Sequence, residues 1–281
     1  MDTAVVLAIV ASAFIGAGLV CILIVVAQGK GNTKPPANNP PPAGGSRLDL
    51  NSMAGRNAQV SGDVLRVTYP RGKYASSDGI NTSVSVNPTE AATLSYEVYL
   101  EPGWCWGGDS KGGKFPGLGY SAGSDVKGGT GGNWIPNGGS YRVMWYGDGF
   151  PRAYVYYNKT GPGNSESLAD QDPGYKAIAK PYGQAGHNVW PDQLSQFKVG
   201  AWNSIVISMK LNTPGKRNGG ICLRVNGQEK RYDSMMWRTT SNQLIRKVLV
   251  ASFHGGGSSD WACSKTTYAS FRNFKLIPAY I

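Results

Sequence analysis

An all-β protein, built as two stacked antiparallel sheets, is the fold class this sequence predicts. Three observations carry that expectation. Glycine supplies 39 of the 281 residues, about twice the usual share, and 15 tyrosines and 8 tryptophans accompany it. That mixture favours short strands joined by many turns. Several segments alternate apolar and polar residues with period two, which in an extended chain sends successive side chains to opposite faces. No long stretch repeats at helical spacing, and only Ser241–Val248 suggests a helical turn or two. A jelly-roll or concanavalin-like β-sandwich is the architecture that follows.

The strands can be placed in order. Val64–Tyr69, Thr93–Leu100 and Trp202–Leu211 alternate cleanly, and so do Gly220–Val225, Lys247–Phe253 and Ala269–Ile277. Asn226-Gly227 is a two-residue hairpin signature. No internal repeat is evident.

The chain divides into an expected membrane anchor (1–28), a Pro/Gly-rich linker (29–47) and a sandwich domain (48–281). Thr3–Ala27 is an uninterrupted apolar run. At about 1.5 Å per residue it exceeds the roughly 30 Å hydrocarbon core of a bilayer. A cleaved export signal would want basic residues ahead of the run, and only Asp2 stands there. One N-terminal transmembrane helix is therefore expected. Lys30 and Lys34 follow it, which places the large domain on the cytoplasmic side. Lys34-Pro35-Pro36 and Pro40-Pro41-Pro42 read as an extended spacer.

Formal charge is +11, from 28 Lys plus Arg against 17 Asp plus Glu. Such an excess draws polyanions: nucleic acid, anionic lipid or acidic polysaccharide. No phosphate-loop or dinucleotide fingerprint is present. Cys21 lies in the apolar run, and Cys105, Cys222 and Cys263 lie in the domain. None stands in a C-x-x-C pair, so no metal site is expected, and Cys222 within a strand reads as a buried thiol. Cys105 and Cys263 are left open, either free or paired in an oxidising compartment.

Lys111 to Tyr157 carries the candidate site. Lys111-Gly112-Gly113-Lys114-Phe115-Pro116-Gly117 precedes a glycine-rich loop, then Ser140-Tyr141-Arg142-Val143-Met144-Trp145-Tyr146, a turn, and Arg152-Ala153-Tyr154-Val155-Tyr156-Tyr157. Alternation puts Ser140, Arg142 and Met144 on one face, and Tyr154 and Tyr156 on one face. A hairpin through Gly147–Pro151 sets Arg142 opposite Tyr156, so a cation and phenols line one patch.

These residues, in this order, resemble the family-14 polysaccharide lyases over about Leu94–Leu276. Members are jelly-roll enzymes that cleave polyuronates such as alginate, and some come from viruses of chlorella-like algae. The resemblance implies a catalytic set of Lys114, Ser140, Arg142, Tyr154 and Tyr156. The Arg-to-Tyr spacing fits the family, while the Lys-to-Ser loop is a few residues long. No cofactor is implied.

β-Elimination at a uronate needs the carboxylate neutralised, the C5 proton removed and the leaving O4 protonated. Arg142 suits the first task, because its planar fork holds a carboxylate and stays charged. Tyr154 or Tyr156 suits proton transfer if neighbouring cations lower a phenol from about 10 toward neutrality. Lys114 reads as base or second clamp, and Ser140 as a positioning hydroxyl. Lys111, Trp145 and His254 are expected at the substrate, and Trp104, Trp106 and Trp134 could stack on sugars or pack. Seen singly, each of these residues has an ordinary role in packing or at the surface.

Three functions remain in play. The first is a membrane-anchored lyase acting on acidic polysaccharide. The second is an inactive glycan-binding jelly roll. The third is a structural protein of a virion internal membrane, facing capsid proteins as further partners. Nucleic acid is not an expected partner.

Overall fold

The computed structural model describes residues 45–129, 133, 135, 137–147, 149–157, 159–160, 166–167, 172–182 and 186–281. The polypeptide divides into two units, Met1–Pro35 and Pro36–Ile281, and every described residue belongs to the second. The expected anchor and most of the linker lie outside the described residues. Among the described residues no helix is long and apolar enough to cross a membrane.

Seventeen strands are present among the described residues. They begin with β1 (Ser46–Arg47), β2 (Ala58–Ser61), β3 (Val64–Tyr69), β4 (Ile80–Thr89), β5 (Ala91–Leu100) and β6 (Gly113–Ser121). Next come β7 (Gly138–Tyr146), β8 (Phe150–Tyr156), β9 (Lys159–Thr160), β10 (Glu166–Ser167), β11 (Ala179–Tyr182) and β12 (Gly186–Val189). The last are β13 (Trp202–Lys210), β14 (Gly219–Val225), β15 (Gln228–Met235), β16 (Leu244–His254) and β17 (Thr267–Ile277). One short helix, α1 (Pro173–Ile178), is capped by Asp172, whose side chain accepts from the Gly174 and Tyr175 amides.

Two antiparallel sheets form the sandwich. The first runs β15-β14-β13-β5-β17-β3-β2, with β1 on β17, and the second runs β11-β12-β8-β7-β6-β16-β4. All-β, two-sheet architecture is thus as the alternation predicted. The core between the sheets takes Leu65, Val67, Leu94, Tyr96 and Val98 from the first sheet. From the second it takes Phe115, Leu118, Tyr141, Val143 and Trp145. Two phenols that enter this core find carbonyl acceptors: Tyr96 donates to Pro116 at 2.9 Å and Tyr141 to Cys222 at 2.7 Å.

One local expectation is overturned. Leu244–Val248 belongs to strand β16 rather than to a helical turn. A bulge between Ile245 and Lys247 adds one residue, so Ile245 and Val248 both reach the core. Their three-residue spacing imitates a helix, though its source is a strand irregularity.

Candidate functional site

Because β6, β7 and β8 are neighbours, the residues that do not face the core converge on the outer face of the second sheet. Strand β7 sends Tyr141, Val143 and Trp145 inward and Ser140, Arg142 and Met144 outward, and β8 sends Ala153 and Val155 inward and Tyr154 and Tyr156 outward. The register pairs Ser140 with Tyr156, Arg142 with Tyr154 and Met144 with Arg152. Arg142 therefore faces Tyr154, not Tyr156. The strands pair through Tyr146 and Phe150, so Phe150 and Pro151 belong to β8 and the loop is two residues shorter than expected. A two-residue slip keeps every side chain on its face, which is why the patch survives. Lys114 joins from β6, paired with Met144.

The five residues singled out as catalytic lie together and are buried. The Tyr154 and Tyr156 hydroxyls share a hydrogen bond of 2.6 Å, with their rings edge to face. Two cations flank Tyr154: Lys114 Nζ and Arg142 Cζ each lie 5.3 Å from its ring centroid. Lys114 Nζ also sits 5.0 Å from the Phe253 ring centroid and donates to the Gly255 carbonyl at 3.4 Å. A Cβ at Gly255 would fall 2.3 Å from that nitrogen, so any larger residue there would displace the end of the Lys114 side chain.

A loop covers the face. Arg142 donates to the carbonyls of Gly128 and Gly129, the latter at 3.1 Å, and Ser140 Oγ donates to Gly128 at 2.6 Å. Gly129 has φ +79°, and a Cβ there would lie 2.5 Å from the Tyr156 ring. Glycine is required twice over, for the backbone angle and for the contact. Arg142 Nε is buried with no partner, as is Arg152 Nε nearby.

Burial dominates the electrostatics. It lowers the Lys114 amine to about 7, and the Arg142 charge pushes the same way. It also raises the Tyr154 phenol well above its ordinary value, and Arg142 opposes this only in part. The expectation that cations bring Tyr154 toward neutrality is reversed, since desolvation of a phenolate outweighs the attraction. Burial lowers Arg142 too, opposed by Tyr154 and Tyr156.

Two of the expected substrate contacts face elsewhere. Trp145 is fully buried in the core, 4.4 Å from Phe115 between ring centroids, because it alternates with Met144 and so points inward. His254 is also sealed inside, its ring stacked on Trp104. Lys111 is partly exposed and paired with Asp260. Trp134 lies outside the described residues, while Trp104 is buried and Trp106 packs against the core.

Alternation placed Met144 on this face, but the sequence reading missed the residues around it. Met144 packs with Ile135, Tyr154 and Tyr156, and Tyr182 and the partly exposed Trp261 pack against that cluster. Arg152 shares the outward phase of Tyr154 and Tyr156, so period two alone could have found it; its partner is Asp192 at 3.0 Å. Asn188, paired with Tyr154, holds its Oδ1 buried without a partner. Cys105 and Cys263 form a disulfide, which settles the pairing left open above, and Cys222 is a free buried thiol.

A β-sandwich with a buried Lys/Arg/Tyr cluster on one outer sheet face is the class of protein that fold and site define. Residues 57–274 match the family described as Polysaccharide lyase 14. Exolysin of Paramecium bursaria Chlorella virus 1 is 30% identical over 227 residues, covering 74% of this chain and 32% of that protein. This chain therefore spans about a third of that relative's length. Among solved structures, the PL-14 alginate lyase of Aplysia kurodai is 26% identical with a TM-score of 0.62, covering 76% of this chain and 82% of that one. The alginate lyase vAL-1 from Chlorella virus is 24% identical with a TM-score of 0.64, over 82% and 98% of the two chains, and shares the fold. The chain belongs to polysaccharide lyase family 14.

Proposed function

We propose that the chain cleaves an acidic, uronate-containing polysaccharide by β-elimination. One observation carries the reading: Lys114, Arg142, Tyr154 and Tyr156 meet on one outer sheet face, with Ser140 beside them. That the Aplysia relative is an alginate lyase supports a polyuronate as the substrate class.

The groups divide the reaction between them. Arg142 releases the Gly128 and Gly129 carbonyls and takes the sugar carboxylate on its fork, so that the C5 proton becomes acidic. Lys114, lowered to about 7, is a neutral amine in mildly alkaline solution and removes that proton. The electron pair left at C5 forms the C4–C5 double bond as the C4–O4 bond breaks. Tyr154 stays protonated in the resting site and passes its proton through Tyr156 to O4, and the proton taken up by Lys114 then restores the phenol and closes the cycle. Ser140 positions the sugar.

Mixing the protein with a panel of polyuronates and following the ultraviolet absorbance of the unsaturated product tests the reading. A rise with at least one polymer is the expected result. Binding of a polyuronate with no rise on any of them would overturn it and leave an inactive glycan-binding or structural virion protein. That second reading has one observation in its favour: Arg142 is already occupied by two loop carbonyls.

The proposal extends to the chain's setting. The apolar run Thr3–Ala27 anchors it to a membrane, and Lys30 and Lys34 keep the domain on the cytoplasmic side. In a virion internal membrane that side faces the capsid, a setting that the viral relative supports. Extraction that requires detergent, together with protease digestion of the domain from the cytoplasmic side, is the expected outcome. Release by salt alone would remove the anchor from the proposal.

A further inference from the structure

A second polar cluster lies buried on the other side of β16, where the proposed lyase chemistry does not use it. His254 Nδ1 lies 2.8 Å from Asp78 Oδ2, which also accepts the His254 backbone amide at 2.7 Å. His254 Nε2 lies 2.9 Å from the Cys105 carbonyl oxygen and 3.3 Å from Cys263 Sγ. Side-chain exposure is 1% for His254 and 0% for Asp78. A carbonyl oxygen can only accept, so with the disulfide closed Nε2 donates to Cys105, and a bound cation would take the place of that hydrogen.

The ligand atoms of Cys105, His254 and Cys263 all lie within 4.8 Å of one another. Two cysteines and a histidine, with the histidine's far nitrogen held by a carboxylate, have the composition and the outer support of a zinc site. The disulfide closes it. Cys105 is partly exposed and Cys263 buried, so an incoming thiol reaches Cys105 first.

We propose that the reduced Cys105–Cys263 pair, together with His254, holds a thiophilic divalent cation of the zinc class. Opening needs a dithiol reductant. Its thiolate attacks Cys105 Sγ, Cys263 leaves as thiolate beside His254, and the second thiol resolves the mixed disulfide. Two electrons pass from the dithiol to the cystine. Binding a divalent ion then replaces the two thiol protons and the Nε2 hydrogen, which are released. The cytoplasmic orientation expected from Lys30 and Lys34 would supply the reducing surroundings, and an oxidising exterior would close the disulfide again. Gly255, next in the chain after His254, accepts the Lys114 hydrogen bond, so metal occupancy also bears on the proposed base.

Cobalt substitution tests this without reference to lyase activity. The full chain is reduced with dithiothreitol, desalted without air and titrated with cobalt(II). The expected result is one equivalent bound, with thiolate-to-cobalt charge-transfer absorption in the near ultraviolet, visible bands of a four-coordinate ion and displacement by zinc. The oxidised chain should show none of these. Asp78→Asn should weaken the affinity by about 10- to 100-fold. If that variant fails to fold, Cys105→Ser, at a partly exposed position, carries the test with circular dichroism as the control, and should lose much of the charge-transfer band. No cobalt absorption in the reduced chain, or an unchanged band in Cys105→Ser, would overturn the proposal while leaving the lyase reading untouched.

Discussion

The hydroxyls of Tyr154 and Tyr156 lie 2.6 Å apart, each ring projecting from the same face of β8 two residues along the strand. A phenol bonded to a phenol, with a lysine and an arginine near the first ring, forms a short proton path at the edge of a carboxylate clamp. Removing either hydroxyl breaks that path and leaves the ring packing in place. Tyr154→Phe and Tyr156→Phe should each lower kcat by roughly 100- to 10,000-fold, the usual worth of a positioned acid or base. KM and thermal unfolding should change little. A double variant much slower than either single one would count against a shared path, because groups acting as a unit are not additive.

Lys114 sets the pH dependence. Its amine is lowered from 10.5 to about 7 by burial, with Arg142 adding to the effect. The unfolded chain keeps this proton up to about 10.5, while the folded chain loses it near 7. Between those values the unfolded state binds more protons, so folding stability rises with pH through the window. Below about 7 both states are protonated, and the cost of the buried charge is felt in full. Lys114→Met should flatten that part of the stability curve in denaturant titrations. For turnover, kcat/KM should climb as pH passes through about 7, and the limb should vanish with the variant.

Arg142 acts on both substrate and base. Arg142→Ala should reduce kcat/KM by on the order of 100- to 1,000-fold, as when one preorganised donor to a developing charge is lost. Arg142→Lys should restore little, because an ammonium cannot reproduce the planar fork. A second consequence separates this role from a merely structural one. Arg142 contributes to the lowering of Lys114, so its removal should move the rising limb of the residual activity to higher pH. A limb that stays in place would show that the two cations do not sense each other.

The loop over the site makes its own prediction. Gly129 combines a φ of +79° with a seat against the Tyr156 ring that no Cβ can share. Gly129→Ala should cost about 1–3 kcal/mol of stability. The displaced carbonyls should release Arg142, so substrate no longer competes with them, and KM should fall by about tenfold for every 1.4 kcal/mol lost from the closed seat. A rise in KM would mean that the loop belongs to the binding surface instead of obstructing it.

How far the sequence reaches follows from these same residues. Alternation along β7 and β8 assigned Ser140, Arg142, Tyr154 and Tyr156 to one face, because period two is a property of extended backbone and needs no tertiary information. Register was another matter: Phe150 and Pro151 read as turn residues, yet pairing draws them into the strand. Gly128 and Gly129 carry no side-chain pattern, so their carbonyls on Arg142 and Ser140 could not be foreseen. The direction of the Tyr154 shift depends on how completely the site is covered, which only packing decides. Asp78, Cys105, His254 and Cys263 come from separate stretches and meet only in the fold, so motif spacing gave no sign of them.

Trp145 and Trp261 provide the sharpest test of inward against outward. Trp145 is fully buried, touches Phe115 and Trp104, and donates to the Trp106 carbonyl at 3.1 Å, all within the core. Trp261 is partly exposed and packs on the cluster of Met144, Tyr154 and Tyr156. Truncating a buried tryptophan removes apolar contacts and leaves a cavity, so Trp145→Ala should lose about 3–5 kcal/mol of stability. The fraction that remains folded should bind substrate with an unchanged KM. Trp261→Ala removes an aromatic surface from the rim of the site, where ligand-binding clefts place such side chains. It should raise KM while leaving the unfolding midpoint close to that of the parent. An exchange of the two phenotypes would mean that the faces of β7 are assigned the wrong way round, and the catalytic arrangement with them.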